Sequence, residues 1–546
     1  MKTSIVILTR NNLTYTKLCL ESIRRYTQEG SYELIIVDNG STDGTVEWLK
    51  EQPDLHVLYN KENLGFPKGC NQGMAAATGD YMLLLNNDTI VTVNWLDQLL
   101  NCLRSDERIG AVGPVTNAAA YYTAIPVPYR TLEELDLFAG EYNKADPAKW
   151  EERIKLIGYC LLMKREVFEK VGWLDERFSP GNYEDEDYCL RIRFAGYKLM
   201  LCKDTFIQHF GSASFNENPS SFSSVLQENE SKFAEKWKFN PVYSTHIRYD
   251  LLSLIDRKKD DPLRILEVGC GCGATLLQLK NLFPHAELYG VELNEHSASV
   301  ASLVAQVESQ NIETMDLRYP KQFFDYVIFG DVLEHLYDPW KVLKNIALCL
   351  KEDGKVLASI PNAMHISLIR DLLNGYWTYT DRGLLDRTHI RFFTFYEICK
   401  MFKETGYDNL NYSRVTLGRT EQDEAFMMEL CKWSHESLWD QYETYQYLFQ
   451  ASKHAPTGND SESGLRQKLK FLLRRIERNI ESVESINTIM TMMNGGEIGY
   501  EDIAVILQND IIEKEQTIRL LADASFARGL TASAAEFVSN IEWVQK

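Results

Sequence analysis

Short apolar runs alternate with helical patterns over the first 240 residues of the chain. Strand-length apolar runs occupy residues 4–8, 33–37, 57–59 and 81–85, and each is followed by a polar or glycine-containing segment. Such alternation predicts a parallel α/β sheet. Ligands of these sheets bind beyond the carboxyl ends of the strands. The polar residues that follow the apolar runs are therefore the first candidates for chemistry.

A second α/β pattern follows Pro241, and the pattern turns helical beyond about residue 420. Residues 455–464 contain Pro, Gly, Ser and Asn, which predicts a linker. One amphipathic helix ending at Gly495 is predicted by apolar residues at positions 469, 472, 476, 480, 483, 486 and 490. Three further helical stretches follow it. The predicted segments are an α/β domain over 1–240, a second over 241–420, a helical extension and linker over 421–463, and a helical domain over 464–546.

The chain has 546 residues, of which 45% are hydrophobic and 25% charged, and this composition is typical of several globular domains. Its formal net charge of −20 disfavours nucleic acid and anionic lipid as partners, because both require a basic surface. Eleven cysteines without framework spacing favour a reducing compartment. The N-terminal apolar run is too short for a signal peptide, and no later run reaches the roughly 18 apolar residues of a membrane span. We therefore expect a cytoplasmic protein without a transmembrane segment.

Acidic residues recur at successive strand ends. Asp38 follows one apolar run and Asp88 another. Taken alone, Asp38 has a simpler interpretation as turn chemistry. A carboxylate such as Asp88 can bind a hard divalent cation, Mn²⁺ or Mg²⁺, and leave coordination positions for diphosphate oxygens. His209 is a candidate second ligand, with a core or surface histidine as the alternative.

Four consecutive carboxylates, Glu184 to Asp187, precede a helical pattern. Direct transfer of a group to a hydroxyl needs one base that reaches that hydroxyl and no covalent nucleophile. Crowding raises the proton affinity of a carboxylate, which suits Asp185 for that role. The alternative is a solvated acidic start of a helix, where carboxylates complement the helix dipole.

Residues 1 to about 240 resemble family 2 glycosyltransferases of the GT-A fold, a group that includes rhamnosyl- and galactofuranosyltransferases. The resemblance lies in residues 7–11, 37–44, 63–66, 71–73, 85–88 and 184–191. It implies a UDP or dTDP sugar as donor and a glycan, lipid-linked glycan or glycoprotein as acceptor. It also implies roles for individual residues: nucleoside contacts for Thr9 and Asp38, metal binding for Asp88 and His209, and general-base catalysis for Asp185. Asn86 and Asn87 occupy the first two positions of the acidic triplet of the family.

A glycine loop opens the second α/β segment. Residues 267–273 read Glu-Val-Gly-Cys-Gly-Cys-Gly after a strand-like run, and Glu292 ends the next such run. Glycines between strand and helix let a cofactor approach the backbone, and an acid at the next strand end can hold ribose hydroxyls. The glycine spacing differs from that of dinucleotide-binding loops.

Residues 242 to roughly 420 resemble class I S-adenosylmethionine-dependent methyltransferases, through this loop and residues 324–328, 331–335 and 354–357. The resemblance implies that Glu292 binds the ribose, that Asp316 faces adenine and that Asp331 faces the methyl group. The remaining residues implied to bind the cofactor are Glu267, Gly269, Gly271 and Gly273.

Methylation of a hydroxyl needs a base, and two histidines are candidates. His335 is the first, with a structural histidine bonded to Glu334 or to backbone as the alternative. His389, beside an aromatic run, is the second.

The sequence therefore predicts a bifunctional enzyme of polysaccharide or glycoprotein synthesis, which transfers a sugar and methylates a glycan or a related acceptor. One alternative is that a single domain is active and the other senses a ligand or serves as a scaffold. Another is that the C-terminal helices recruit other glycan enzymes. The same helices are candidates for homo-oligomerisation.

Overall fold

The computed structural model describes residues 1–211, 219–434, 438–453, 460–477, 482–511 and 514–544. The chain divides into two compact units, one of residues 1–245 with 272–281 and the other of residues 246–271 with 282–546. Across these described ranges, none of the helices combines the length and the apolar character that crossing a membrane requires.

An eight-stranded mixed sheet organises the N-terminal unit. Its strand order is β3-β2-β1-β4-β8-β6-β9-β7, with β3 to β4 parallel and β8 antiparallel to both neighbours. The strands in the first 245 residues are β1 Thr3–Thr9, β2 Tyr32–Asn39, β3 Leu55–Asn60, β4 Tyr81–Asn86, β5 Thr89–Ile90, β6 Ile109–Val115, β7 Trp150–Arg153, β8 Cys160–Lys164, β9 Lys198–Phe206 and β10 Gln208–His209.

Both faces of this sheet are buried, which explains why its strands read as continuous apolar runs. In β1, Ile5 and Ile7 pack in one apolar cluster, whereas Val6 packs in another. The helices in this part of the chain are α1 Leu13–Tyr26, α2 Thr45–Lys50, α3 Phe66–Ala76, α4 Trp95–Ser105, α5 Leu132–Tyr142, α6 Arg165–Val171, α7 Glu184–Phe194, α8 Pro219–Trp237 and α9 Pro241–Ser244. The four strands predicted at residues 4–8, 33–37, 57–59 and 81–85 are present as β1 to β4.

The second unit is built on a seven-stranded sheet of order β13-β12-β11-β14-β15-β17-β16. Its strands are parallel from β13 to β15, and β17 is antiparallel to β15 and β16. Their bounds are β11 Arg264–Val268, β12 Glu287–Glu292, β13 Gln306–Ser309, β14 Phe324–Gly330, β15 Leu350–Pro361, β16 Asn409–Thr416 and β17 Thr444–Ser452.

Helices and short 3-10 turns connect these strands and continue to the C-terminus. The helices are α10 Tyr249–Leu252, α11 Ala274–Leu282, α12 Glu295–Ala301, α13 Pro339–Cys349, α14 Ile366–Leu373, α15 Phe395–Glu404, α16 Glu421–Trp433, α17 Trp439–Glu443, α18 Asp460–Glu477, α19 Ser482–Asn494, α20 Tyr500–Asp510, α21 Lys514–Ala527 and α22 Ala534–Val544. Three 3-10 turns with both ends among the described residues are Pro147–Lys149, Glu176–Phe178 and Leu333–His335.

The predicted helical character of residues 421–463 is wrong for part of that segment. Thr444–Ser452 forms β17, which lies between β15 and β16 in the seven-stranded sheet. Its residues pair with Lys355–Pro361 on one side and Asn409–Thr416 on the other. Pairing on both edges fixes the segment as an extended chain, whatever its local helical tendency.

The single helix predicted from residue 465 to Gly495 is two helices, α18 and α19. Leu469, Leu472 and Ile476 on α18 and Ile486 and Met490 on α19 are buried as their spacing predicts, but Val483 is 72% exposed. Position 480 of the predicted stripe lies outside the described residues. Most of the predicted linker also lies outside them, and its last part, from Asp460, is helical. The three further helical stretches are α20, α21 and α22.

Candidate active sites

Asp88 and His209 meet beyond the end of β4. The short antiparallel pair β5–β10 aligns His209 with Thr89, the residue that follows Asp88. His209 Nε2 lies 3.2 Å from Asp88 Oδ1, and both side chains are nearly buried. His209 Nδ1 lies 2.7 Å from the carbonyl oxygen of Ala118. Because a carbonyl only accepts, Nδ1 carries a proton and Nε2 faces the carboxylate.

This arrangement favours a positive charge between the two side chains. Burial alone would lower the pKa of His209, but the hydrogen bond and charge of Asp88 outweigh it, and the pKa of His209 is raised. A neutral Nε2 lone pair next to a carboxylate oxygen is unfavourable unless a proton or a cation lies between them. The donor set, one imidazole nitrogen and one carboxylate, fits Mn²⁺ or Mg²⁺ with further oxygen ligands.

The carboxylates at the start of α7 are not a solvated helix end. Glu184 and Asp187 are buried, and Asp185 and Glu186 are half-buried. Asp185 Oδ2 accepts a hydrogen bond from the backbone N–H of Gly158 at 2.8 Å, and its Oδ1 accepts one from the N–H of Glu186 at 2.9 Å. These bonds fix the direction of the Asp185 carboxyl group.

The charges in this cluster are unevenly compensated. Lys155 Nζ lies 2.5 Å from Glu186 Oε1 and neutralises that carboxylate. Burial raises the pKa of Asp185, and the Gly158 N–H and the charge of Lys155 oppose the increase only in part. Burial and the Asp185 charge raise the pKa of Glu184 well above its usual value. A carboxylate with raised proton affinity is suited to accept a proton near neutral pH.

These groups line one cavity of about 470 Å³, which contains Asp88, His209, Asp185 and Glu184. The structure therefore brings together the predicted metal ligands and the predicted base. Tyr159 also lines the cavity, and its ring stacks on that of His209 at a centroid distance of 5.1 Å. The sequence analysis assigned no role to Lys155, Gly158 or Tyr159.

Asp38 lies at a neighbouring cavity of about 400 Å³ with Ser41, Tyr59 and Lys61. It is 1% exposed, and its Oδ2 accepts the N–H of Ser41 at 3.1 Å, so the turn interpretation is present in the structure. Its Oδ1 is buried without a hydrogen-bond partner among the described residues. A buried acceptor without a partner at the edge of a cavity is a candidate contact for a polar group of a ligand.

Thr9 is placed differently from the expected nucleoside contact. Its side chain is buried, and its hydroxyl is 2.9 Å from that of Thr16 and accepts from Asn87 Nδ2 at 3.3 Å. These internal bonds engage the hydroxyl because β1 turns the side chain toward α1. Arg10, the next residue, lines the larger cavity instead.

The predicted cofactor loop of the second sheet joins β11 to α11. Gly269, Gly271 and Gly273 have φ values of 71°, 52° and 77°, a region that favours glycine. A Cβ on Gly269 would come within 2.6 Å of the Val332 side chain. The N–H of Gly271 donates to Glu292 Oε2 at 2.8 Å, so the loop and the acid at the end of β12 adjoin each other.

Two other predicted cofactor residues differ in their surroundings. Glu267 is buried in β11. Asp316 is 86% exposed, and its partner Arg318 lies 3.7 Å away and is equally exposed. Its exposure reflects a position in an irregular segment between β13 and β14. The contacts of Asp316 therefore give no support to the expectation that this residue faces adenine.

Asp331, directly after β14, adopts a left-handed conformation with φ 55°. Arg248 Nη1 donates to its Oδ2 at 2.6 Å, and the hydroxyl of Ser359 donates to its Oδ1 at 2.7 Å. The side-chain amide of Gln446 donates to the same oxygen. Sequence reasoning missed Arg248, Ser359 and Gln446, which lie directly before α10, in β15 and in β17.

His335 and His389, predicted as alternative bases, lie side by side. Their ring centroids are 4.7 Å apart with a T-shaped arrangement. His335 Nδ1 lies 3.1 Å from the Thr388 carbonyl, and His389 Nδ1 lies 3.1 Å from the Leu384 carbonyl. The backbone-bonded alternative for His335 is therefore also realised. Burial, together with the charge of His389, lowers the pKa of His335.

The two α/β parts of the chain each match a known protein family. Residues 4–172 match the model described as glycosyl transferase family 2, and residues 243–412 match the model described as a methyltransferase domain. The chain therefore contains a family 2 glycosyltransferase domain of GT-A-like fold, followed by a Rossmann-like methyltransferase domain and helices to the C-terminus.

Three curated relatives illustrate the similarity. An uncharacterized protein, y4gI, of Sinorhizobium fredii is 30% identical over 228 residues, or 39% of this chain and 24% of that protein. The Mycobacterium tuberculosis N-acetylglucosaminyl-diphospho-decaprenol L-rhamnosyltransferase is 27% identical over 219 residues, 35% of this chain and 71% of that enzyme. The Bacillus anthracis malonyl-(acyl-carrier protein) O-methyltransferase is 32% identical over 118 residues, 20% of this chain and 43% of that enzyme. The chain thus spans about a quarter of the length of the first relative.

Proposed function

We propose that this chain is a bifunctional enzyme that transfers a sugar with inversion and methylates a glycan or a related acceptor. The donor would be a UDP or dTDP sugar, and the acceptor a glycan, a lipid-linked glycan or a glycoprotein. The lipid-linked substrate named for the mycobacterial relative supports that acceptor class. We assign the two activities to residues 1–240 and to residues 241–420 completed by β17.

The observation that carries the sugar-transfer proposal is the shared cavity of Asp185 with Asp88 and His209. Asp185 is held by two backbone N–H groups and has a raised pKa, so it can take the proton of an acceptor hydroxyl. Asp88 and His209 would hold a divalent metal ion, which would neutralise the leaving diphosphate when bound. Asp38 would bind the nucleoside through its unoccupied oxygen.

For methyl transfer, Gly269, Gly271 and Gly273 would form the backbone cradle for S-adenosylmethionine and Glu292 would bind its ribose. S-adenosylmethionine supplies an electrophilic methyl group when bound. Asp331 would orient the site, since Arg248, Ser359 and Gln446 hold its carboxylate in place. His335 or His389 would take the proton of the acceptor hydroxyl.

The test of the sugar-transfer half is release of nucleoside diphosphate from UDP, dTDP and GDP sugars in the presence of p-nitrophenyl glycosides as acceptors. We expect acceptor-stimulated release with UDP or dTDP sugars, and its loss in Asp88→Asn. Asp54→Asn, which alters an exposed ion pair with Arg24, is the matched control and should keep full activity. Release that survives Asp88→Asn unchanged would contradict the assignment.

A further inference from the structure

Three side chains of types that can bind metals converge in the methyltransferase domain. Glu334 and His335 lie in the 3-10 turn that follows Asp331, and His389 lies in the loop before α15. One ligand atom from each of the three lies within 4.8 Å of the others. Ligand atoms bound to one ion at about 2.1 Å can be at most about 4.2 Å apart, so a small inward adjustment completes the set.

Glu334 is the unusual member of this group. Its side chain is 1% exposed, and neither carboxylate oxygen has a hydrogen-bond partner among the described residues. Its backbone carbonyl accepts the N–H groups of Ile390 and Arg391, which ties the loop of His389 to this turn. A buried carboxylate without a partner is costly, and such groups in proteins are usually paired or bind a metal.

Both histidines use only one ring nitrogen in the hydrogen bonds that position them. Each ring uses Nδ1 to donate to a backbone carbonyl, that of Thr388 for His335 and that of Leu384 for His389. Neutral imidazoles bonded in this way present the lone pair of Nε2. Ligating histidines in metalloproteins commonly donate their other N–H to a carbonyl or a carboxylate, which fixes the tautomer. Asp386 accepts from the N–H and hydroxyl of Thr388 and so holds one of the two carbonyls in place.

We propose that Glu334, His335 and His389 bind a divalent first-row transition metal ion, whose remaining coordination positions take the acceptor hydroxyl for methylation. Two imidazole nitrogens and one carboxylate suit Mn²⁺, Co²⁺ or Zn²⁺, whereas Mg²⁺ prefers an all-oxygen set. This site is separate from the Asp88–His209 pair. The second half of the proposal rests on the methyltransferase function proposed above.

With the ion bound, His335 and His389 act as ligands and not as the free base named in the proposed function. A hydroxyl bound to the ion is more acidic than a free one and loses its proton to solvent. The resulting oxygen then forms a bond to the methyl carbon of S-adenosylmethionine as the carbon–sulfur bond breaks, which releases S-adenosylhomocysteine. The sulfonium charge and the alkoxide charge cancel in this step.

The test is titration of the full-length Asp88→Asn variant with Co²⁺, followed by visible absorption, because this background lacks a metal ligand of the sugar-transfer site. We expect one Co²⁺ per chain with ligand-field bands. The additional change Glu334→Gln or His389→Gln should weaken binding by about tenfold or more. His296→Gln, at an exposed surface histidine, is the matched control and should bind as the background does.

Absence of the Co²⁺ bands from the Asp88→Asn background would overturn the proposal, as would Co²⁺ affinity in both ligand variants equal to that of the background. Calorimetric titration with S-adenosylhomocysteine shows that each variant is folded. If Glu334→Gln fails this check, His389→Gln alone decides the result.

Methyl transfer from radiolabelled S-adenosylmethionine to p-nitrophenyl glycosides distinguishes the proposed metal role from the proposed methyltransferase function. Activity that dipicolinate removes and Mn²⁺ or Zn²⁺ restores supports the metal role. Activity that persists after metal removal overturns that role and leaves the methyltransferase function standing. Co²⁺ binding without methylation of any acceptor supports the site while counting against the proposed function.

Discussion

Replacement of Asp185 by Asn tests the assignment of the general base. Asn has nearly the same shape and keeps one oxygen that can accept from the N–H of Gly158, the bond that is 2.8 Å long in the wild type. It cannot accept a proton from an acceptor hydroxyl. The change therefore removes the chemistry and leaves most of the local geometry intact.

The expected loss of kcat in Asp185→Asn follows from the contribution of a general base to the rate. A positioned general base contributes about 10²- to 10⁴-fold to a rate, which corresponds to about 3 to 5 kcal/mol of activation free energy. We expect kcat for sugar transfer to fall by that factor. Nucleotide binding should change little, because the cavity of the proposed nucleoside contact Asp38 is not lined by Asp185.

The assay is acceptor-dependent release of nucleoside diphosphate, with Glu184→Gln measured beside Asp185→Asn. Glu184 is the other carboxylate of this cavity with a strongly raised pKa, so it is the competing candidate. A kcat for Asp185→Asn within threefold of the wild type would refute our reasoning. A loss confined to Glu184→Gln would transfer the role to that residue.

The same variant also tests the raised pKa of Asp185 through the pH dependence of stability. The pKa of Asp185 is raised in the folded state, above its unfolded value, so its contribution to stability is present at low pH and is lost as pH rises through the folded pKa. Lowering the pH from about 7 to about 4, near the ordinary pKa of an Asp side chain, should therefore stabilise the wild type relative to Asp185→Asn. Urea unfolding at both pH values measures the difference, and an opposite trend would contradict the raised pKa.

Three further predictions follow from the structure. Gly158→Ala places a Cβ 3.1 Å from that of Asp185 and should lower kcat about tenfold in the transfer assay, whereas Gly140→Ala, in open space, should not. His209→Gln should abolish Mn²⁺-dependent binding of UDP or dTDP, measured by calorimetry. Glu292→Gln should weaken S-adenosylhomocysteine binding about tenfold in equilibrium dialysis, with the exposed Glu295→Gln unchanged.

Much of the glycosyltransferase site could be predicted from the sequence. Asp88 follows a strand-like run, so its position beyond the carboxyl end of β4 followed from the fold class. Asp185, at the start of α7, was assigned from the acidic cluster and the family resemblance. The support around them could not be predicted. Lys155 and Gly158 come from a loop whose path depends on packing, and no local pattern indicates that they contact the carboxylates of α7.

Two incorrect predictions, for β17 and for the helix beyond residue 465, show what the periodicity of apolar residues does not reveal. The residues of β17 alternate as Tyr445, Tyr447 and Phe449, a period of two that favours a strand, but the helical signals before them obscured it. Gln446, which bonds to Asp331, was missed with it. For α18 and α19, the spacing of three and four continues across the break, so apolar pattern alone cannot reveal where one helix ends.

The hydroxyl of Thr9 illustrates a third limit. A polar residue at a strand end was expected to contact ligand, yet its side chain bonds to Thr16 and Asn87 within the protein. The direction of a side chain at the end of a strand depends on the twist of that strand and on its neighbours. Sequence position alone does not specify this direction.

The central claim is that one chain carries two independent transferase sites. Calorimetric titration of the full chain with S-adenosylhomocysteine, then with UDP and dTDP with and without Mn²⁺, tests it most directly. We predict saturable binding of S-adenosylhomocysteine that Glu292→Gln weakens, and Mn²⁺-dependent binding of one nucleotide that Asp88→Asn abolishes, each variant sparing the other ligand. Binding of only one ligand class, or loss of both from either substitution, would contradict the account.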